Sequence, residues 1–281
     1  MIYVIGDSFA WGDEVADHIL PNFWGYKDQL SDNQIASRSA QLGILRPDVN
    51  HPLADAWDNF RIENRWSNLL AKHFGTDVVN RGENGKSIHG MVTTLSQDFE
   101  TLKNADLVIV QLTGLHRLQI PYVTDDHEAF VQEGYAQLNP LVHLTFSKQV
   151  YFEIGKLRLA DTTERDFLYD YLNCILLIRQ LVKSATNTEV LLVDSLFLRE
   201  CGNPEWHLNN NETNPYIKKM LDLTDFKNKI YTFPSMADIY NQNRNTCHTM
   251  VSGHYCHNTH RLFAQSLYDI IIRENMFPKK H

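Results

Sequence analysis

The sequence predicts an α/β fold, a flavodoxin-like three-layer sandwich built on a five-stranded parallel sheet. Two observations predict it. Short apolar runs rich in β-branched residues are separated by longer segments whose apolar residues recur at three and four, the alternation that gives parallel strands with crossover helices. The first such run also passes straight into a Gly-Asp-Ser turn, which places a polar side chain where open α/β sheets build their ligand sites.

The strand expectations are Ile2 to Ile5, Asp77 to Asn80, Leu107 to Leu112, Val190 to Val193 and Ile230 to Phe233. Between them, Trp66 to Phe74 carries Leu69, Leu70 and Phe74 on one side, and Tyr169 to Val182 does the same with Leu172, Leu176, Ile178 and Leu181. A last helix is expected over Thr259 to Glu274, with Leu262, Phe263, Leu267, Ile270 and Ile271 facing the sheet. Residues 13–62, with Pro21, Pro47 and Pro52, and residues 118–162, with Pro121 and Pro140, break this rhythm. They read as insertions into a single domain over residues 1–281. Each leaves the chain after a strand's C-terminal end and is expected to wall or cover the site and set substrate choice.

Composition narrows the function. Hydrophobic residues at 43% and charged residues at 21% are globular values, so an ordered chain with a large core is expected. A net charge of -8 offers no attraction to phosphate backbones or anionic lipid, which argues against a nucleic-acid or membrane-surface partner. No run of about 18 apolar residues occurs. Met1 leads at once into the first strand, so no signal peptide is read and a cytoplasmic location is expected. Cys174, Cys201, Cys247 and Cys256 are too scattered for a disulfide framework.

Chemistry concentrates in three places. Gly6-Asp7-Ser8-Phe9-Ala10-Trp11-Gly12 follows the first strand, and a serine on a strand-to-helix turn is held exposed at the sheet's rim. The plainer reading is that Asp7 or Ser8 caps the next helix. Val78-Val79-Asn80-Arg81-Gly82-Glu83-Asn84-Gly85-Lys86-Ser87 ends the second strand in a glycine-containing loop able to bring backbone close to a ligand. Ser252-Gly253-His254-Tyr255-Cys256-His257-Asn258-Thr259-His260-Arg261 precedes the last helix. An imidazole titrating near neutrality can take a serine's proton and later return it to a leaving group.

Taken in this order, the motifs resemble blocks I, II and V of the SGNH/GDSL hydrolases, in a form similar to divergent members encoded by tailed phages. The resemblance spans about half of the chain and neither insertion. It implies the SGNH hydrolase fold and a serine esterase with Ser8 as nucleophile and His254 as general base. Ser8 and Gly85 would supply backbone N–H groups to the oxyanion hole, and His260 would be a helix-start residue. No cofactor is implied. The implied substrate is a small ester, an O-acetyl group on a glycan, and a phage-encoded member would associate with the virion.

Two departures stand against the family pattern. The acid expected just before the histidine is absent, because Val251 and Ser252 stand there. Ser252 is then one candidate to orient His254, and an acid or a backbone carbonyl from elsewhere is the other. In block III the family's Asn is replaced by Leu115 in Gln111-Leu112-Thr113-Gly114-Leu115-His116-Arg117, which leaves Thr113, His116 or the Gly114 amide to stabilise an oxyanion. These losses also support a rival reading, a phage structural or glycan-binding protein with a decayed site. A nucleotide binder is disfavoured because Asp7 would face an anionic phosphate. Cys247, His248, His254, Cys256, His257 and His260 crowd together as zinc ligands would, but their spacing matches no common zinc motif, and no metal site is expected in the chain.

Overall fold

The computed structural model describes residues 1–20, 23, 25–37, 50–84, 86–114, 118–121, 135–138, 164–194, 215–250 and 253–277. Strands β1 (Ile2–Ile5), β2 (Val78–Asn80), β3 (Leu107–Leu112) and β6 (Val190–Asp194) form one parallel sheet in the order β2-β1-β3-β6. Ile5 pairs with Val110 and Leu112 with Asp194, so the C-terminal ends of the central strands lie side by side. Strands β4 (Leu118–Pro121) and β5 (Tyr135–Leu138) pair separately as an antiparallel ribbon.

The central strands are apolar at almost every position because both faces are covered. Alternate residues part company as strand geometry requires. Tyr3, Ile5, Val108, Val110 and Leu192 enter one core, together with α4 (Ile88–Gln97), α5 (Glu164–Ala185) and α6 (Pro215–Thr224). Ile2, Val4, Ile109, Leu191 and Val193 enter the other, against α3 (Trp66–Phe74), α8 (Met236–Gln242) and α9 (His257–Arg273). At roughly 1.5–3 kcal/mol per fully buried large side chain, these two cores supply the drive that holds helices on both faces. The α/β class and its three layers are as the sequence predicts.

The fifth strand is not. Ile230 to Phe233 was expected to extend the sheet, but the segment belongs to α7 (Phe226–Tyr231) and its C-terminal turn. The β-branched and aromatic content of Ile230-Tyr231-Thr232-Phe233 suggested a strand, yet Phe226 and Ile230 stand four apart and are buried together in one core. That helical spacing prevails, and the sheet has four strands among the described residues. No helix of the described residues is long and apolar enough to cross a membrane.

Within the first long segment, residues 13–20 and 50–62 meet beside Trp11, with Ala16, Leu20 and Trp57 in one buried cluster. In α2 (Ala54–Asn64), Arg61 donates from Nη1 to the Trp11 carbonyl at 2.7 Å and lies 3.8 Å over the Trp11 ring. The Trp57 indole N–H donates to Asp17 Oδ1 at 3.0 Å. Most of residues 118–162 lies outside the described residues.

Candidate active site

Three local structures bring the site together. The first is the turn after β1, which enters the short helix α1 (Ser8–Trp11). Asp7 Oδ1 accepts the Phe9 N–H at 3.1 Å, so the capping role read from the sequence does belong to Asp7. That leaves Ser8 as the first helical residue, and its amide is among those the helix itself cannot satisfy.

The second is the strip after β2. Asn80 Nδ2 donates to the Ala10 carbonyl at 2.7 Å and to Ser67 Oγ at 2.6 Å, while its Oδ1 accepts the Gly82 N–H at 2.7 Å. One amide side chain thus ties the end of β2 to the serine's helix and to α3. Only glycine fits at position 82, because a Cβ there would lie 2.5 Å from the Trp11 nitrogen. Gly85 lies outside the described residues.

The third is the turn that presents His254. An isolated antiparallel bridge joins Thr249 to Tyr255, and the Met250 N–H donates to the His254 carbonyl at 2.7 Å. Gly253 takes φ +93, a left-handed conformation that favours glycine, and this closes the turn immediately before the histidine. The imidazole then packs against Phe9, with ring centroids 4.7 Å apart.

These elements place His254 Nε2 2.6 Å from Ser8 Oγ. The other ring nitrogen, Nδ1, lies 3.2 Å from Glu14 Oε2. Sequence reasoning did not single out Glu14, yet it occupies the role for which Ser252 and an acid from elsewhere were the candidates. Ser252 lies outside the described residues. Glu14 is buried, and its backbone is left-handed at φ 60, a conformation that costs a non-glycine residue roughly 1–2 kcal/mol and recurs at functional sites. Asp13 adds a second carboxylate, with Oδ2 3.8 Å from Nε2 and Oδ1 accepting the Glu14 N–H at 3.1 Å. A signal for both was present: two acids interrupt the apolar stretch from Phe9 to Ala16, and carboxylates in such a stretch must be buried with partners.

The electrostatics follow. Burial alone pulls the His254 pKa down, but the hydrogen bond to Glu14 and the charges of Asp13, Glu14 and Asp7 outweigh it, and the pKa is raised above that of a free imidazole. His260, six residues on, is fully buried and accepts the Trp66 N–H on Nδ1 at 3.2 Å, which caps the start of α3. Burial, then the neighbouring His254, His257 and Arg65 charges, push its pKa down to about 3. It is a neutral structural residue at the start of α9, where the sequence placed it.

At the end of β3, Thr113 is fully buried and its Oγ1 has no hydrogen-bond partner among the described residues. Its carbonyl accepts the Tyr171 hydroxyl at 2.9 Å, which fixes the backbone there. Leu115, His116 and Arg117 lie outside the described residues. In the segment weighed for zinc, the Cys256 thiol accepts the His248 N–H at 3.3 Å, and His257 stacks toward His18 with ring centroids 5.1 Å apart.

No protein-family model matches the chain, and no curated protein matches it. Among solved structures, the chain is similar to a protein assigned to the G-D-S-L lipolytic family from Desulfitobacterium hafniense, at 11% identity and a TM-score of 0.43, over 96% of this chain and 98% of that one. It is similar to an acetylxylan esterase from the rumen bacterium Butyrivibrio proteoclasticus, at 12% identity and a TM-score of 0.40, over 98% of this chain and 63% of that one. An acetylxylan esterase from Geobacillus stearothermophilus is similar at 14% identity and a TM-score of 0.38, over 99% of this chain and 94% of that one. At this level of likeness the chemistry has to be argued from the side chains themselves.

Proposed function

We propose that the protein is a serine esterase that hydrolyses a small ester through an acyl-Ser8 intermediate. The observation that carries this reading is the continuous hydrogen-bonded relay from Ser8 Oγ through His254 to Glu14. His254 Nε2 takes the hydroxyl proton as Oγ attacks the ester carbonyl carbon. Glu14 holds Nδ1–H, fixes the tautomer and stabilises the imidazolium that forms. The Ser8 and Gly85 amides and the Thr113 hydroxyl are the proposed donors to the oxyanion. The imidazolium then protonates the departing alkoxide. Water, deprotonated by His254, cleaves the acyl-serine and releases the acid.

The substrate class, an O-acetyl group on a carbohydrate, follows from the sequence resemblance and suits a negatively charged protein acting on a neutral ester. A cytoplasmic protein, or one carried by a virion if phage-encoded, is consistent with it. A fluorophosphonate probe and an aryl acetate test the reading together. Covalent label mapped to Ser8, with acetate release lost in Ser8→Ala, is the expected result. An unlabelled Ser8 in folded protein would turn the balance to the glycan-binding reading, which Leu115 at the family's asparagine position favours.

A further inference from the structure

A second cluster of reactive groups lies away from the relay, between α4 and α5. Asp170 and Cys174 stand four apart on α5 and therefore share one face, and His89 in the first turn of α4 packs against them. His89 Nε2 lies 2.8 Å from Asp170 Oδ2. One ligand atom from each of the three residues lies within 4.8 Å of the other two. Cys174 is a buried free thiol, and His89 Nδ1 is buried with no hydrogen-bond partner among the described residues. An ion pair accounts for the contact between His89 and Asp170. It does not account for the Cys174 thiol brought within reach of both groups, nor for the buried His89 Nδ1 left unpaired on the same ring, since an unpaired buried polar atom is a cost.

We propose that His89, Asp170 and Cys174 bind a divalent cation of the zinc type. Imidazole, carboxylate and thiolate are the three ligand classes that zinc accepts, at about 2.0–2.3 Å, and small side-chain rotations would draw these groups onto one ion. Magnesium and calcium, which prefer oxygen ligands, do not suit a site containing a thiolate. Two ligands on one helix and a third across from them form a clamp, which would tie the start of α4 to α5. Asp170 and His89 are 53% and 34% exposed, so the ion has a path from solvent, and a fourth position is left for water. The site is independent of the hydrolase reading.

Cobalt titration of the full chain, stripped of metal with a chelator, tests the proposal. One Co²⁺ per chain is expected, with thiolate-to-cobalt charge-transfer absorption that Zn²⁺ displaces. Cys174→Ser should abolish that absorption, and His89→Gln and Asp170→Asn should each weaken binding by more than the roughly tenfold that loss of an outer partner costs. No charge-transfer absorption in the wild-type protein, or absorption that persists in Cys174→Ser, overturns the proposal. If circular dichroism shows that the buried Cys174→Ser variant fails to fold, the two part-exposed positions decide: unchanged cobalt affinity in both overturns it as well.

Discussion

His254 and His260 are six residues apart, the first part-buried and the second fully buried, yet their pKa values move in opposite directions. His254 stands in a turn facing two carboxylates and the Ser8 hydroxyl, and its pKa is raised. His260 stands fully buried in the first turn of a helix beside His254, His257 and Arg65, accepts a backbone N–H and is held neutral, with a pKa of about 3. Burial acts in the same direction on both. What separates them is the charge of the neighbours, and the decisive neighbour of His254 comes from the segment just after the serine.

The strongest way to break this contrast is to remove the groups that define the first histidine's role. Ser8→Ala and His254→Ala should each lower kcat for an aryl acetate by about 10⁵–10⁶, with the double variant no worse than either, because such residues act as a unit. Additive losses, measured by steady-state kinetics, would deny that they form one relay. Glu14→Gln should lower kcat by about 10²–10⁴, since the imidazolium loses its counter-charge and its fixed tautomer.

Thr113→Val sharpens the account of the oxyanion. Loss of one donor should cost about 10²–10³ in kcat. The melting temperature should hold or rise, because an unpartnered buried hydroxyl is replaced by a methyl group of similar shape. A lower melting temperature with an unchanged rate would mark the hydroxyl as structural.

The smallest effect concerns His260. Its folded pKa lies below the unfolded value of about 6.5, so the unfolded chain binds the extra proton and stability is lost as pH falls from about 6.5 toward 3. His260→Asn keeps an acceptor for the Trp66 N–H and removes that proton. Urea midpoints should therefore fall less steeply over this window than in the wild-type protein. Parallel pH dependences in the two proteins would assign the acid sensitivity elsewhere.

Much of the fold was legible because central parallel strands must be apolar on both faces, so Ile2 to Ile5 and Leu107 to Leu112 read as uninterrupted runs. Ile230 to Phe233 misled because its composition favoured a strand while its spacing to Phe226 carried the helix. The pairing of Ser8 with His254 was legible from motif order, although 246 residues separate them. Glu14 was not, because the search for an acid stayed beside His254, whereas a carboxylate can reach Nδ1 from any segment the fold folds back. The first long segment was read as a wall. It also carries the orienting charge.

The most direct test is the rate at which the fluorophosphonate labels Ser8, measured against pH in the wild-type protein and in Glu14→Gln. Labelling needs the neutral imidazole, so the rate rises with pH through the His254 pKa. A raised pKa places that rise above the ordinary imidazole value of about 6.5. The relay from Ser8 to Glu14 predicts that Glu14→Gln labels about a hundredfold or more slowly and that its rise moves to lower pH. Identical rates with the same pH dependence in the two proteins would contradict it.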